Sequence, residues 1–146
     1  MTGSSAPRPP KPPQVTLAPA APEFVHRVHI YYEDTDLSGA VYHANYLRFF
    51  ERGREHLIGQ EALVALLERG IAFVVYRCEM TFRAPATLGD ELEIRTTPSR
   101  ASPYRAVFQQ HVFRAGEALP IVKGVVEMVA VDRAGKPVLL PDIPGI

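Results

Sequence analysis

Three acidic residues, Glu33, Asp34 and Asp36, lie in a short segment that also contains Gly39 and that leads directly into a segment with helical periodicity. The first turn of an α-helix carries backbone N–H groups without intrahelical acceptors and a partial positive charge. A carboxylate near such a helix start can act as a base or a nucleophile, while the N–H groups can stabilise an oxyanion. This spacing therefore predicts a site for attack on a carbonyl group.

The elements that must hold this segment are predicted from hydrophobic periodicity. A run of β-branched and aromatic residues predicts a first strand over 24–32, and apolar residues at helical spacing predict a helix over 44–58. A short second helix over 61–68 precedes four strand-like runs, at 71–83, 91–98, 104–114 and 121–131. One long helix against five antiparallel strands predicts an α+β layer fold.

Several side chains outside the acidic segment have predicted structural roles. Gly53 in mid-helix lowers the stability of the helix by about 1 kcal/mol relative to Ala, which suggests that another element passes close to it. Tyr46 and Phe50 are expected in the core, and Glu51 is expected to pair with an arginine rather than to act as an acid. Cys78, among apolar neighbours in a strand, is expected to be buried.

Composition limits the class of protein. Lys plus Arg and Asp plus Glu balance at 16 each, and no basic run is present, so nucleic-acid binding is not expected. The single cysteine excludes an intramolecular disulfide and fits a reducing compartment. The chain has neither an apolar run long enough to span a membrane nor the apolar segment of a secretory signal. We therefore expect a cytoplasmic location without membrane insertion.

The first 22 residues differ from the rest of the chain. They contain half of the chain's 14 prolines and almost no large apolar side chains. Such a segment buries too little surface to offset the entropy of ordering. The sequence therefore predicts a disordered Pro-rich tail over 1–22 and a single domain over 23–146.

The segment YYEDTDLSGAVYHANYLRFFERGRE, residues 31–55, closely resembles a family of enzymes. It is similar to the hot dog fold acyl-CoA thioesterases of the 4-hydroxybenzoyl-CoA type, and within them to the thioesterases associated with the bacterial Tol–Pal system. The family pattern has an Asp-x-Asp pair, a Gly-containing turn, a Tyr/His-x-Asn-Tyr helix start and a Phe-x-Glu-x-Ala-Arg continuation, in which this chain has Gly53 where the family has Ala. The later segment YRCEMTFRAPATLGDELEI fits the same family. The resemblance implies a hot dog fold, in which the sheet wraps around the long helix.

The resemblance also implies roles for individual residues. Asp36 matches the catalytic carboxylate, and His43 matches the residue whose backbone N–H polarises the thioester carbonyl. Asp34 is expected to cap the loop. We expect five further residues to bind the substrate, and these are Tyr32, Gly39, Val41, Tyr42 and Arg83.

The implied function is hydrolysis of a short-chain aliphatic or aromatic acyl-CoA to the free acid and coenzyme A, without a metal or organic cofactor. Asp36 could attack the carbonyl directly or act as a general base on water, and the sequence does not choose between these routes.

The resemblance implies a homodimer with active sites at the subunit interface, doubled to a homotetramer. Acyl carrier protein thioesters are a further candidate substrate. The alternatives are a binding module without turnover and a hot dog dehydratase.

Coenzyme A carries phosphate groups, which arginine side chains bind well. Three arginines are predicted at strand ends or turns where they could meet these phosphates: Arg83, Arg100 and Arg105.

Overall fold

The computed structural model describes residues 23–143 and residue 146. The tail predicted over residues 1–22 lies outside the described residues. Two helices and six strands follow one another along the described part. In chain order they are β1 (Phe24–His29), α1 (Asn45–Ile58), α2 (Gln60–Glu68), β2 (Ala72–Phe82), β3 (Glu91–Ser102), β4 (Arg105–Arg114), β5 (Val122–Val131) and β6 (Pro137–Val138).

The strands form one antiparallel sheet in the order β1-β3-β4-β5-β2, and β6 pairs with β5. The α+β prediction is confirmed, with a sixth strand that was not predicted. A strand of two residues gives no periodic signal in the sequence, because alternation needs several positions.

Two strand boundaries differ from those predicted. β1 ends at His29 rather than at residue 32, because residues Tyr32–Asp34 turn into a short 3-10 helix. The Asp34 carboxylate fixes this turn by accepting a hydrogen bond from the Tyr31 N–H at 2.9 Å. β3 continues through the predicted spacer 99–103 to Ser102, where it still pairs with Arg105 of β4.

Helix α1 packs its apolar stripe against one face of the sheet. Tyr46, Phe49 and Phe50 are all at most 2% exposed, which confirms the core positions predicted for Tyr46 and Phe50. The facing side of the sheet contributes alternate residues of each strand, as in the buried positions Val122, Gly124, Val126, Met128 and Ala130 of β5. This period of two is the pattern of a sheet covered on one side.

Gly53 lies where α1 passes close to the sheet. A Cβ at this position would lie 3.2 Å from Gln110 Nε2 and 3.3 Å from Thr96 Oγ1, so the predicted close passage of another element is confirmed. Gln110 Nε2 donates to the Phe50 carbonyl oxygen at 2.9 Å, and Arg54 Nη1 donates to Gln110 Oε1 at 2.7 Å. These hydrogen bonds satisfy polar groups buried between helix and sheet.

Arg54 is only 4% exposed, and its second Nη group pairs with the Glu51 carboxylate. The predicted arginine partner of Glu51 is therefore present. Burial lowers the pKa of Arg54, whereas the adjacent Glu51 carboxylate acts in the opposite direction.

Strand β2 forms one edge of the sheet, and most of its side chains are exposed. Val74 and Val75 are each 46% exposed and Tyr76 is 61% exposed. The prediction that Cys78 is buried is wrong, because Cys78 lies on this edge strand and is exposed in the single chain. An apolar edge strand with unpaired backbone groups is a surface on which another strand can add.

Among residues 23–143 and 146, no helix has both the length and the apolar character needed to cross a membrane.

Candidate active site

The acidic segment forms a compact loop between β1 and α1. The Asp34 carbonyl oxygen accepts hydrogen bonds from the Tyr42 N–H at 2.9 Å and from Asn45 Nδ2 at 3.0 Å. The Asp34 carboxylate also accepts a hydrogen bond from Tyr31, so Asp34 bonds to both the start and the end of the loop. This confirms its predicted capping role. Thr35 forms an isolated antiparallel bridge with Val41, so the intervening residues are held as a tight turn.

Asp36 lies at the start of this turn, and its side chain is exposed. The Ser38 hydroxyl donates to Asp36 Oδ1 at 2.6 Å, and the Ser38 N–H donates to the same oxygen at 2.8 Å. These bonds hold the pKa of Asp36 below its usual value, with the Ser38 hydroxyl as the largest cause, the Ser38 N–H next, and smaller contributions from the backbone at Ala40 and from His43. The carboxylate is therefore ionised and fixed in direction.

Ser38 is a residue that the sequence reasoning missed. Its signal in the sequence is the Asp-x-Ser spacing, in which an Asp side chain accepts hydrogen bonds from the residue two positions later. The same turn needs Gly39, whose φ of +85° lies in the left-handed region that glycine adopts without strain.

His43 directly precedes the helix start. Helix α1 begins at Asn45, one residue later than predicted, with Ala44 as its N-cap. Within the described residues, the N–H groups of His43 and Ala44 donate no hydrogen bond, whereas those of Tyr42 and Asn45 on either side are bonded to carbonyl oxygens. A donor of this kind at a helix start can stabilise negative charge on an oxygen atom.

A cleft of about 310 Å³ opens beside this helix start. His43, Tyr46 and Phe82 form an aromatic wall, with ring centroids 6.3 Å apart for His43 and Phe82 and 5.8 Å apart for Tyr46 and Phe82. The remaining lining residues are Ala40, Val41, Arg83, Ala84 and Pro85. The walls are mostly apolar, with a guanidinium at one side.

The structure brings three of the five predicted substrate-binding residues near this cleft. Val41 and Arg83 line it, and the Tyr42 ring packs on the His43 ring at a centroid distance of 4.5 Å. Gly39 lies at the tip of the adjacent turn. Tyr32 is 83% exposed on the 3-10 helix and is not among the cleft-lining residues.

Only one of the three candidate arginines lies at the cleft. Arg83 follows the last residue of β2 and lines the cleft. Arg100 donates instead to the carbonyl oxygen of Pro141 at 3.1 Å, and Arg105 pairs with Glu127 at 3.3 Å. The turn positions of Arg100 and Arg105 do not bring them to the active loop, because strand order and register decide where a strand end lies.

Comparisons with known proteins identify the family to which the chain belongs. The sequence pattern of the thioesterase-like superfamily matches residues 31–144. The acyl-CoA thioester hydrolase YbgC of Escherichia coli O6:H1 is 42% identical over 120 residues, which cover 78% of this chain and 87% of that protein. The acyl-CoA thioesterase YbgC of Haemophilus influenzae is 37% identical over 124 residues, covering 81% and 88% respectively.

Solved structures show the same fold. A probable thioesterase from Bartonella henselae superimposes with a TM-score of 0.74 at 33% identity, over 82% of this chain and all of that chain. A 1,4-dihydroxy-2-naphthoyl-CoA thioesterase from Synechocystis superimposes with a TM-score of 0.76 at 25% identity, over 82% and 90% of the two chains. The chain therefore belongs to the thioesterase-like superfamily, has the hot dog fold, and is a thioester hydrolase.

Proposed function

We propose that this chain hydrolyses acyl-CoA thioesters, with Asp36 attacking the carbonyl or activating water and the His43 N–H stabilising the oxyanion. The observation that carries the proposal is an ionised, oriented carboxylate on the loop whose His43 N–H is free and whose Ala40, Val41 and His43 line an apolar cleft. Asp36 itself is not among the lining residues, and its N–H bonds to the Ala40 carbonyl oxygen at the edge of the cleft. The relatives named for acyl-CoA hydrolysis support the same substrate class.

Two routes satisfy the chemistry. In the first, an Asp36 oxygen bonds to the carbonyl carbon, the C–S bond breaks, coenzyme A leaves as the thiolate, and water opens the resulting mixed anhydride. In the second, Asp36 removes a proton from water as the water oxygen attacks, and the thiolate leaves on collapse of the tetrahedral intermediate and then takes up a proton. Both routes give a free acid, coenzyme A and a regenerated carboxylate.

The cleft supports a short aliphatic or aromatic acyl group as the substrate. Its apolar walls include the rings of Tyr46 and Phe82, which would pack against an acyl chain or ring. A dehydratase or a binding module without turnover would leave the thioester bond intact, so release of free thiol separates both alternatives from the proposed activity.

The proposed active unit is a homodimer formed through the exposed edge strand β2. Helix α1 runs opposite to β2, because its start lies near Phe82 and its end lies near Phe73. Antiparallel pairing of two β2 strands would therefore place the cleft of one copy beside the start of β2 in the second copy.

A second cavity lies at that start of β2 and would complete the site. It has a volume of about 220 Å³ between α1, α2 and β2, and its apolar lining includes Leu66, Leu67, Ile71, Phe73 and Met128. We propose that this cavity of one copy receives the acyl group whose thioester is held by the active loop of the other copy.

The test of the activity is release of free coenzyme A from a panel of acyl-CoAs, by wild type and by Asp36→Asn. Because this nearly isosteric change removes the charge and basicity of the carboxylate, we expect a fall in kcat of about 100-fold or more. Glu33→Gln is a matched control, since Glu33 is exposed on the same loop, and its kcat should stay close to wild type. Full activity of Asp36→Asn would refute the assignment of Asp36.

A further inference from the structure

The segment between β2 and β3, residues 83–90, lies against the active loop, and we call it the backing loop. The Val41 N–H donates to the Ala86 carbonyl oxygen at 2.8 Å, and Ala40 forms an isolated antiparallel bridge with Thr87. Ala86 is completely buried at this contact. The active loop is therefore bonded through its backbone to the backing loop at two neighbouring residues.

Both groups proposed to act on the thioester lie close to these bonded residues. The Ala40 carbonyl oxygen accepts a hydrogen bond from the Asp36 N–H at 2.8 Å, so the two ends of the Asp36 turn are joined. Val41 precedes His43 by two residues, and its position sets where the free His43 N–H lies. A shift of the backing loop would therefore displace both the carboxylate and the N–H relative to the reacting carbonyl.

The conformation of the backing loop depends on Asp90. Its Oδ2 atom accepts a hydrogen bond from the Thr87 N–H at 2.9 Å, and its own N–H donates to the Thr87 carbonyl oxygen at 3.1 Å. The Asp90 carbonyl oxygen accepts a further bond from the Ile30 N–H at 2.9 Å, just beyond the end of β1. Asp90 therefore fixes Thr87, the residue that forms the bridge to the active loop.

Arg114, the last residue of β4, joins the backing loop to the sheet. Its Nε donates to Asp90 Oδ2 at 3.2 Å, and its Nη2 donates to the carbonyl oxygen of Pro85. Its Nη1 pairs with Glu117 at 3.4 Å. A guanidinium presents its donors in a rigid, planar fork, so this one side chain holds two points of the loop at a fixed separation.

We propose that Arg114 and Asp90 are positioning residues for thioester hydrolysis, which hold the backing loop and, through it, the active loop in the reactive arrangement. This inference rests on the roles proposed for Asp36 and His43. Within the described residues, neither Arg114 nor Asp90 lines the cleft beside α1. Their effect on the reaction therefore passes through the backbone contacts between the two loops.

Steady-state kinetics of Arg114→Ala tests the proposal. This variant loses the bonds to Asp90 and to the Pro85 carbonyl oxygen, and we expect kcat to fall about tenfold with little change in KM. Small displacements of the reacting groups slow the chemical step, whereas the apolar walls that bind the acyl group stay in place.

Arg95→Ala is the matched control for Arg114→Ala. The Arg95 side chain is 30% exposed and that of Arg114 is 29% exposed, and Arg95 pairs with Glu93 of the same strand at 2.9 Å. The control therefore removes an ion pair of similar exposure that involves neither loop, and it should keep the wild-type kcat. Equal falls in kcat for the two variants would overturn the positioning role of Arg114.

The same acyl group carried by coenzyme A or by pantetheine separates positioning from contact with the carrier. Pantetheine lacks the phosphates and the adenosine, so an arginine that contacted them would matter only for the acyl-CoA. We expect Arg114→Ala to lower kcat by the same factor on both thioesters. A rise in KM confined to the acyl-CoA, with kcat unchanged, would overturn the proposal.

Two further variants test whether Arg114 and Asp90 act as one unit. Asp90→Ala should also lower kcat, and the double variant should be less impaired than the product of the two single effects, because both changes release the same loop. Arg114→Lys keeps a positive charge beside Asp90 but lacks the planar fork, so its kcat should lie between those of wild type and Arg114→Ala. Single effects that simply multiply in the double variant would overturn the coupling.

Amide hydrogen exchange gives a readout that requires no turnover. The Val41 N–H is bonded to the Ala86 carbonyl oxygen, so its exchange should accelerate about tenfold in Arg114→Ala and stay unchanged in Arg95→Ala. This result would support the link between the loops even if no thioester were hydrolysed. Hydrolysis by Arg114→Ala with the wild-type kcat would overturn the positioning role while leaving the proposed activity intact.

Discussion

At the scale of single residues, the site depends on how one carboxylate is held. Asp36 receives two hydrogen bonds from Ser38, one from its hydroxyl and one from its N–H, both to Oδ1. Its second oxygen receives neither of these bonds. One side of the carboxylate is therefore fixed to the turn while the other side is available for chemistry, which is a form of preorganisation.

The Ser38 hydroxyl should set the acidic limit of activity. Because this hydroxyl is the largest cause of the lowered pKa of Asp36, Ser38→Ala should raise that pKa. Activity through an ionised Asp36 is lost as pH falls through its pKa, so the acidic limb of kcat/KM should move to higher pH in the variant. The profile of kcat/KM against pH measures this shift. Ser99→Ala, an exposed serine on β3, provides the control, and identical acidic limbs for Ser38→Ala and wild type would contradict the assignment.

At the scale of the elements, the distance between α1 and the sheet depends on two glycines. Gly53 on the helix faces Gln110 and Thr96, and Gly124 on β5 faces the Phe50 ring. A Cβ added at residue 124 would clash with the Phe50 ring. The helix therefore lies close to the sheet because side chains are missing at these contacts, and this closeness positions the start of α1 at the cleft.

Gly124→Ala should lower the free energy of unfolding by about 1–3 kcal/mol, because it overpacks a buried contact. Denaturant titration measures this change. The double variant Gly124→Ala, Phe50→Leu removes the ring that causes the clash, so the two changes should be non-additive, with the second recovering part of the first. A Gly124→Ala protein as stable as wild type would show that the Phe50 ring moves aside without cost.

At the scale of the whole molecule, the single chain leaves the proposed site open on one side. Within one copy, the end of β2 lies at the cleft of the active loop, whereas the second cavity lies at the opposite end of this exposed strand, beside its start. Antiparallel pairing through β2 would bring a loop and a cavity from different copies together, and would also cover the exposed residues Val74, Val75 and Tyr76.

Mixed dimers test this arrangement. Asp36→Asn inactivates the loop, and Leu67→Trp should fill the cavity, because Leu67 is a lining residue that is 64% exposed and so tolerates a larger side chain. Each variant alone should be inactive on the acyl-CoA that wild type hydrolyses best. When both are co-expressed, half of the dimers would be mixed and each would contain one complete site, so roughly a quarter of wild-type activity should return.

Mass measurement by light scattering establishes that the co-expressed chains form dimers. Lack of recovered activity in dimers that contain both chains would contradict the sharing of sites between copies. Full activity of Leu67→Trp on every chain length would instead show that the acyl group does not use this cavity.

The sequence by itself determined the local parts of this protein. The order strand, long helix, short helix and four strands follows from periodicity, and the Asp36 turn before α1 follows from a Gly-containing acidic segment, because turn chemistry and helix capping act between residues close in sequence. The loop role of Asp34 was predictable for the same reason. The close approach at Gly53 was predictable because glycine in mid-helix lowers helix stability, which indicates that a neighbouring element needs the space.

Only the tertiary structure decided which distant residues meet the active loop. Phe82 and Arg83 reach the cleft because β2 lies antiparallel to α1, whereas Arg100 and Arg105 are directed elsewhere by the strand register. Cys78 looks like a core residue in the sequence and is exposed because strand order puts β2 at the edge. Local patterns encode which face of a strand is apolar, but the position of a strand in the sheet is set by long-range pairing, and that pairing decides what is buried.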